Sequence, residues 1–134
     1  MSCNSTTRGI FNGGYQPSPV NAAINTIEFI TFATTGNGTN FGDLDVARRG
    51  TGAVSNETRG IAIAGTQHPT SPNKLNIIEF VTIATEGDAL DFGDLHTGRR
   101  TSNSACSSPT RGFIADGNVS IGVVTIASKG NEVK

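Results

Sequence analysis

The chain repeats itself. Displaced by 51 residues, positions 7–49 lie over 58–100 without a gap, and twenty of the 43 aligned residues are identical. "TRGI" falls on "TRGI", "IEFITFAT" on "IEFVTIAT", "FGDL" on "FGDL", and Arg48-Arg49 on Arg99-Arg100. A third copy opens at Thr110 as "TRGFIADG", continues as "GVVTIASKG", and reaches Lys134 before any counterpart of FGDL. Its middle is shorter: Thr110 to Val124 spans 14 residues, where Thr58 to Val81 spans 23. The chain therefore reads as one segment, 1–134, of two full units (about 1–49 and 50–100) and a partial one (101–134). A period near 50 belongs to propellers and solenoids, in which no unit buries its apolar surface alone.

What each unit contains decides between them. "GTGAV" (50–54) is a short strand of small residues, and "RGIFNGG" (8–14) and "RGIAIAG" (59–65) are compact strands closed by glycine. "NTIEFITFATTG" (25–36) is a long β-branched and aromatic strand running into a Gly-Asn-Gly turn, and "FGDLDVA" (41–47) is a weaker fourth. Four evenly spaced strands per unit make a propeller blade. In the third strand Ile27 and Phe29 point one way and Ile30 and Phe32 the other. Both faces are apolar, as a sheet sandwiched between neighbours requires. No window has helical periodicity, and 17 glycines with no tryptophan suit strands and tight turns. The expected class is all-β.

Composition excludes some partners. A net charge of −1 with 16% charged residues offers no basic field for nucleic acid or an anionic membrane. No apolar run has the length of a membrane helix, and "MSCNSTTRGI" lacks a signal-peptide layout, so synthesis in a cytosol is expected. The two cysteines, Cys3 and Cys106, each precede a Thr-Arg-Gly by four residues, and Val54 holds that place in the middle unit. A position shared by Cys, Val and Cys reads as a small buried apolar site, hence as two reduced core thiols.

In its order of short strand, strand ending in Gly13-Gly14, long strand, Phe41-x-x-Leu44 and then Arg48, the full unit resembles the kelch repeat. Kelch units usually carry Trp where this chain has Phe41 and Phe92, and the second unit lacks the glycine pair, so the resemblance is to a divergent relative. The wording "TRG…GG…IEFITFATTGN…FGDL…ARR" is also similar to repeats in structural or tail-associated proteins of marine bacteriophages. The resemblance implies a kelch-like β-propeller and a virion setting, with synthesis in the host cytoplasm; it implies no catalytic residue and no cofactor.

Fewer than three full blades cannot close a ring, and an open end exposes an apolar blade face. The expectation is that identical chains complete the ring, most simply as a dimer with head-to-tail contacts; the alternative is a fragment of a longer natural array.

The repeat also sorts the candidate chemistry. "DFGDL" (91–95) contains the letters of a kinase metal-binding motif, but Asp91 is Asn40 in the sister unit, and the glycine-rich loop, strand lysine and catalytic-loop Asp of a kinase are missing. Phe41, Leu44, Phe92 and Leu95 are read as packing between blades, with Asp43 and Asp94 closing turns. Arg8, Arg59 and Arg111 recur in every unit, and Arg48 and Arg99 in the full ones. They are expected to bond backbone carbonyls, or the mid-strand Glu28 and Glu79, across blades, since a buried carboxylate needs a partner. His68 and His96 are not equivalent, and no His/Cys/Asp spacing resembles a metal site.

What varies is the loop after the second strand: "YQPSPVNAAI" (15–24), "TQHPTSPNKL" (66–75), then almost nothing. A kept framework with varied loops is the layout of a binding scaffold. Strand alternation places this loop on the same face as the link carrying Arg49 and Arg100. Tyr15, Gln16, Arg49, Gln67, His68 and Arg100 are therefore the candidate ligand-binding residues. The function expected is a non-enzymatic structural or adhesive module contacting a protein or glycan. A propeller lectin is the first rival, although sugar sites lean on Trp and Tyr and this chain has no Trp and one Tyr. An enzyme on a kelch scaffold is the second, and would need metal ligands or paired acids converging on the axis.

Overall fold

The computed structural model describes residues 2–70, 74–100, 104–115 and 121–133. Their regular structure is all β: three antiparallel sheets, one within each sequence unit, and no helix. The first sheet has the order β1 (Ser2–Asn4), β2 (Arg8–Gln16), β3 (Ala22–Thr31) and β4 (Thr39–Asp43). The second repeats it as β5 (Gly52–Ser55), β6 (Arg59–Ile63), β7 (Ile77–Thr82) and β8 (Leu90–Asp94). The third comprises β9 (Ala105–Ser107), β10 (Arg111–Ala115) and β11 (Ile121–Thr125). A bridge from Val123 to Val133 starts a fourth line of pairing there. The short first strands β1, β5 and β9 lie side by side, and the sheets stack through two apolar layers.

Between the first and second sheets, Cys3, Ile10, Ile27, Phe29, Phe41 and Leu44 meet Ala53, Ala62, Val81 and Ile83. Between the second and third, Val54, Ile61, Ile63, Ile78, Phe80, Phe92 and Leu95 meet Ile114, Val124 and Ile126. The repeat thus makes one interface twice. Gly60 and Gly112 are part of it: a Cβ at Gly60 would lie 2.6 Å from Cys3 Sγ, and one at Gly112 would lie 2.6 Å from Val54 Cγ2. The absent side chain is the notch that receives the preceding sheet.

FGDL is the seam of this interface. Opposite β3, Ile27 pairs Gly42 but Glu28 pairs Asn40, so Phe41 is the extra residue of a bulge; Phe92 is the same in β8. A bulge re-aims its side chain, and here it turns each phenyl inward, edge-on to Phe29 at 5.9 Å and to Phe80 at 6.1 Å. The glycine that follows lets the next sheet touch the backbone. Gly87 N–H donates to Phe41 O (2.8 Å) and Ala89 N–H to Asp43 O (2.9 Å), against the place a Gly42 Cβ would fill. Gly130 and Glu132 do the same to Phe92 and Asp94. Asp43 and Asp94 were expected to close turns with their carboxylates. Instead both side chains are exposed, and it is their backbone N–H groups that bond Asp88 Oδ1 and Asn131 Oδ1 of the following sheet.

The arginines latch the stack. Arg8 Nη1 donates to the carbonyls of Ile83 (3.1 Å) and Ala84 (3.3 Å), and Arg59 Nη1 to those of Ile126 (3.1 Å) and Ala127 (2.9 Å). Each guanidinium crosses a phenyl ring on the way, Phe29 at 4.5 Å and Phe80 at 4.8 Å. Deeper in, Arg48 is fully buried and ion-paired with Glu79, whose other oxygen accepts from Asp45 N–H at 2.9 Å. Burial holds the Arg48 guanidinium below its usual pKa range, against the pull of Glu79 and then Asp45. Arg99 makes the matching pair with Glu132, whose Oε2 accepts from His96 N–H (3.0 Å). Gly122 stands where Glu79 would be, and the Glu132 carboxylate occupies the space its side chain leaves. The third unit therefore keeps the carboxylate and draws it from the segment after β11.

Several sequence expectations are corrected. Cys106 is exposed, not a core thiol, because no described sheet packs on that face; Cys3 is buried, and burial raises its pKa to about 12. Glu28 is exposed rather than an arginine's buried partner, since no described sheet packs on that face of the first sheet. Phe32, on the same face of the first sheet, is 53% exposed, where its counterpart Ile83 is at 2%. The third strand begins at Ala22 and stops at Thr31, where Thr34 N–H closes a turn onto its carbonyl, and the fourth runs Thr39–Asp43 rather than 41–47. Gly13 and Gly14 lie inside β2, at a bulge, and do not end it. A Cβ on Gly13 would strike the Arg48 carbonyl, which accepts from Gly14 N–H. Residues 71–73 of the second varied loop, and 116–120, most of the shortened third, lie outside the described residues.

Candidate functional site

The varied loops of the first two sheets meet the link between those sheets at one surface. β2 runs past the Gly pair to deliver Tyr15, and the loop that follows turns at Asn21, whose φ of 48° is a left-handed conformation that Asn tolerates. The link after β4 brings in Arg49, which pairs with Thr66 through both backbone groups (2.9 and 2.8 Å). His68 follows two residues on.

The side chains close on one another. The Arg49 guanidinium lies over the Tyr15 ring, 4.5 Å from its centroid, and His68 meets the same ring edge-on at 5.3 Å. His68 Nδ1 is 2.9 Å from Asn21 O, the His68 carbonyl accepts from Ala23 N–H (3.2 Å), and Tyr15 Oη lies 3.3 Å from Asn21 Oδ1. Tyr15 is 39% exposed, so the ring is held by neighbours yet open to solvent.

Of the six residues the sequence singles out, three thus form one cluster: Tyr15, Arg49 and His68. Gln16 is exposed at the end of β2 and Gln67 half-buried beside His68, and neither joins the ring contacts. Arg100 is exposed and lies across Gly50, where a Cβ would be 2.7 Å from its Nε. Sequence reasoning passed over Asn21 and Thr66, which pin the cluster. The signal for Asn21 was there in an asparagine closing a proline-containing loop; nothing marks Thr66, which holds Arg49 through its backbone and through its hydroxyl, a donor to the Arg49 carbonyl at 3.4 Å.

Chemically the cluster offers an aromatic edge, a guanidinium fork and an imidazole. These are groups that recognise a ligand by stacking and hydrogen bonding. Among the described residues, no three His, Cys, Asp or Glu side chains gather as a metal site would require. Compared with protein-family models and with curated proteins, the chain matches none.

Proposed function

We propose that this chain is a run of kelch-like propeller blades serving as a non-enzymatic structural and binding module, in a phage virion or tail, with the Tyr15–Arg49–His68 surface as its contact with a host-surface or virion partner. Strand order 1-2-3-4 in each full sheet, with the first strands side by side, is the layout of blades about an axis and supports the propeller reading. The virion setting rests on the likeness of the repeat wording to phage proteins.

One observation carries the binding role. The contacts between sheets are repeated nearly residue for residue, while the departures from the repeat collect in the loops that build the Tyr15 cluster. A scaffold under packing constraint, with freedom left at one surface, is what recognition loops require.

Tyr15 is the only tyrosine and there is no tryptophan, so its emission reports on the site alone. Titration with oligosaccharides and with acidic peptides is expected to give a saturable change with one class, lost in Arg49→Ala and His68→Ala variants of unchanged circular dichroism. Indifference of Tyr15 to both classes would overturn the assignment of this surface.

A further inference from the structure

The chain carries both halves of an interface that it makes twice within itself, and we infer that the outer face of the third sheet binds the outer face of the first sheet of a second copy. The third sheet presents outward Cys106, Phe113, Ile121 and Val123, at the positions where the second sheet presents Val54, Ile61, Ile78 and Phe80 to its neighbour. Cys106 is exposed and Ile121 is 62% exposed, whereas Val54 is at 2% and Ile78 at 0%. The first sheet presents the receiving half: Gly9, Phe11, Ile30 and Phe32, in the places of Gly60, Ala62, Val81 and Ile83. Phe11 and Phe32 are 44% and 53% exposed. Two such faces on one molecule are complementary to each other and not to themselves, so the contact is head-to-tail.

Polar groups fix the register. Arg111 stands where Arg8 and Arg59 stand, but it is exposed at the rim of an open cleft of about 490 Å³ that also includes Thr125, Ser128 and Lys129. Across the contact it meets the carbonyls of Phe32 and Ala33, the counterparts of Ile83 and Ala84 that Arg8 reaches. Ser55 Oγ bonds the backbone N–H (3.1 Å) and C=O (2.9 Å) of Asn4, and Ser107 Oγ bonds those of Ser55 (3.3 and 3.0 Å). Asn4 holds that place in the first sheet; its Nδ2 donates to Ser5 O (3.0 Å), which leaves the amide oxygen and the second N–H to bond the backbone of Ser107 in the same way. Gly9 is buried under the edge of the Phe32 ring, 3.2 Å from where a Cβ would stand, so Cys106 packs on that ring at the Gly9 notch, a sulfur–aromatic contact.

The inference uses the repeat contacts, not the Tyr15 surface: a silent titration leaves it standing, and a monomeric chain leaves the titration standing. The test combines light scattering with thiol chemistry on the 134-residue chain. The expected mass is two copies or a longer series, with Cys106 labelled at least ten-fold more slowly than in dilute, dissociated protein. Arg111→Ala weakens association at least ten-fold and Ile121→Asp abolishes it; both side chains are exposed, so both variants fold. In a Cys3→Val background, Gly9→Cys joins copies through Cys106 on mild oxidation, and adding Cys106→Ser prevents it. A chain that stays monomeric at every concentration overturns the inference. So does an assembly in which Cys106 labels at the monomer rate and Gly9→Cys forms no cross-link.

Discussion

At the level of single residues, the stack is held by a few buried polar groups whose partners lie in the next sheet. Arg48 and Glu79 are almost wholly buried, so removing either leaves an uncompensated charge, and Arg48→Ala or Glu79→Ala is expected to cost about 3–5 kcal/mol. Replacing both by Met and Leu is expected to recover most of that loss, because an apolar pair of similar volume carries no desolvation penalty. Urea unfolding of the three variants measures it, and a double variant as weak as the singles would show that the pair does more than neutralise itself. Cys3 makes a pH prediction. Its folded pKa of about 12 lies above the unfolded value of 9.0, so its contribution is complete below pH 9.0 and is lost between pH 9.0 and about 12. The slope there is about 1.4 kcal/mol per pH unit. Cys3→Val, which copies the residue at Val54, is expected to remove that slope in chemical denaturation followed across this range. Both predictions use residues that the repeat made legible: Arg48 by recurrence, Cys3 by sharing a place with Val54. Glu132 was not legible, because Gly122 broke the pattern and the compensating carboxylate sits ten positions away on another segment.

At the level of elements, the repeat revealed the strands and their order but misjudged their ends. Thr31 to Gly36 is as β-branched and apolar as the strand before it, so propensity carried the strand through; the chain turns because Thr34 bonds Thr31 and Phe32 bonds Thr7. FGDL was recognised as packing, yet its glycine was not, since a glycine beside an aspartate reads equally well as a turn. The structure gives Gly42 and Gly93 the close approach of the next sheet's backbone. A comparison isolates this role. Gly42 and Gly87 have similar φ (156° and 150°), but a Cβ at Gly87 meets nothing within 4 Å, whereas one at Gly42 collides with the backbone of Gly87. Gly42→Ala is therefore expected to destabilise by about 1–3 kcal/mol more than Gly87→Ala. Equal losses in thermal unfolding would mean that the seam yields, and that only backbone conformation is at stake. The Tyr15 cluster was half legible: alternation of strands put the loop and the link on one face, but the ring contacts depend on a turn at Asn21 that no pattern specifies.

For the molecule as a whole, stability is a sum over sheets and the layers between them, as in other repeat arrays. The sheets are not equally supported. The second has an apolar layer on both sides and carries Ile61, Ile63 and Ile78 at 0% exposure. The first and third have one covered face each and leave Phe32 and Ile121 more than half exposed. Local opening of a terminal sheet costs one layer, while opening the middle sheet costs two, so amide exchange is expected to follow this order. With copies kept apart by Ile121→Asp, β6 and β7 should be the slowest to exchange and β9 to β11 the fastest, since the third sheet has the fewest strands. Within the third sheet, β10 should outlast its neighbours, being paired with a strand on both edges, whereas the outer edge of β11 is held at Val123–Val133 alone among the described residues. If copies of the wild-type protein associate through these faces, as inferred above, the contact supplies a second layer to both terminal sheets, and their protection should rise with concentration toward that of β6 and β7. Uniform protection in the separated copies would show that the array opens as one cooperative unit, with layers too strongly coupled to be counted singly. A graded pattern that concentration leaves unchanged would instead place any association on a surface other than the open faces of the stack.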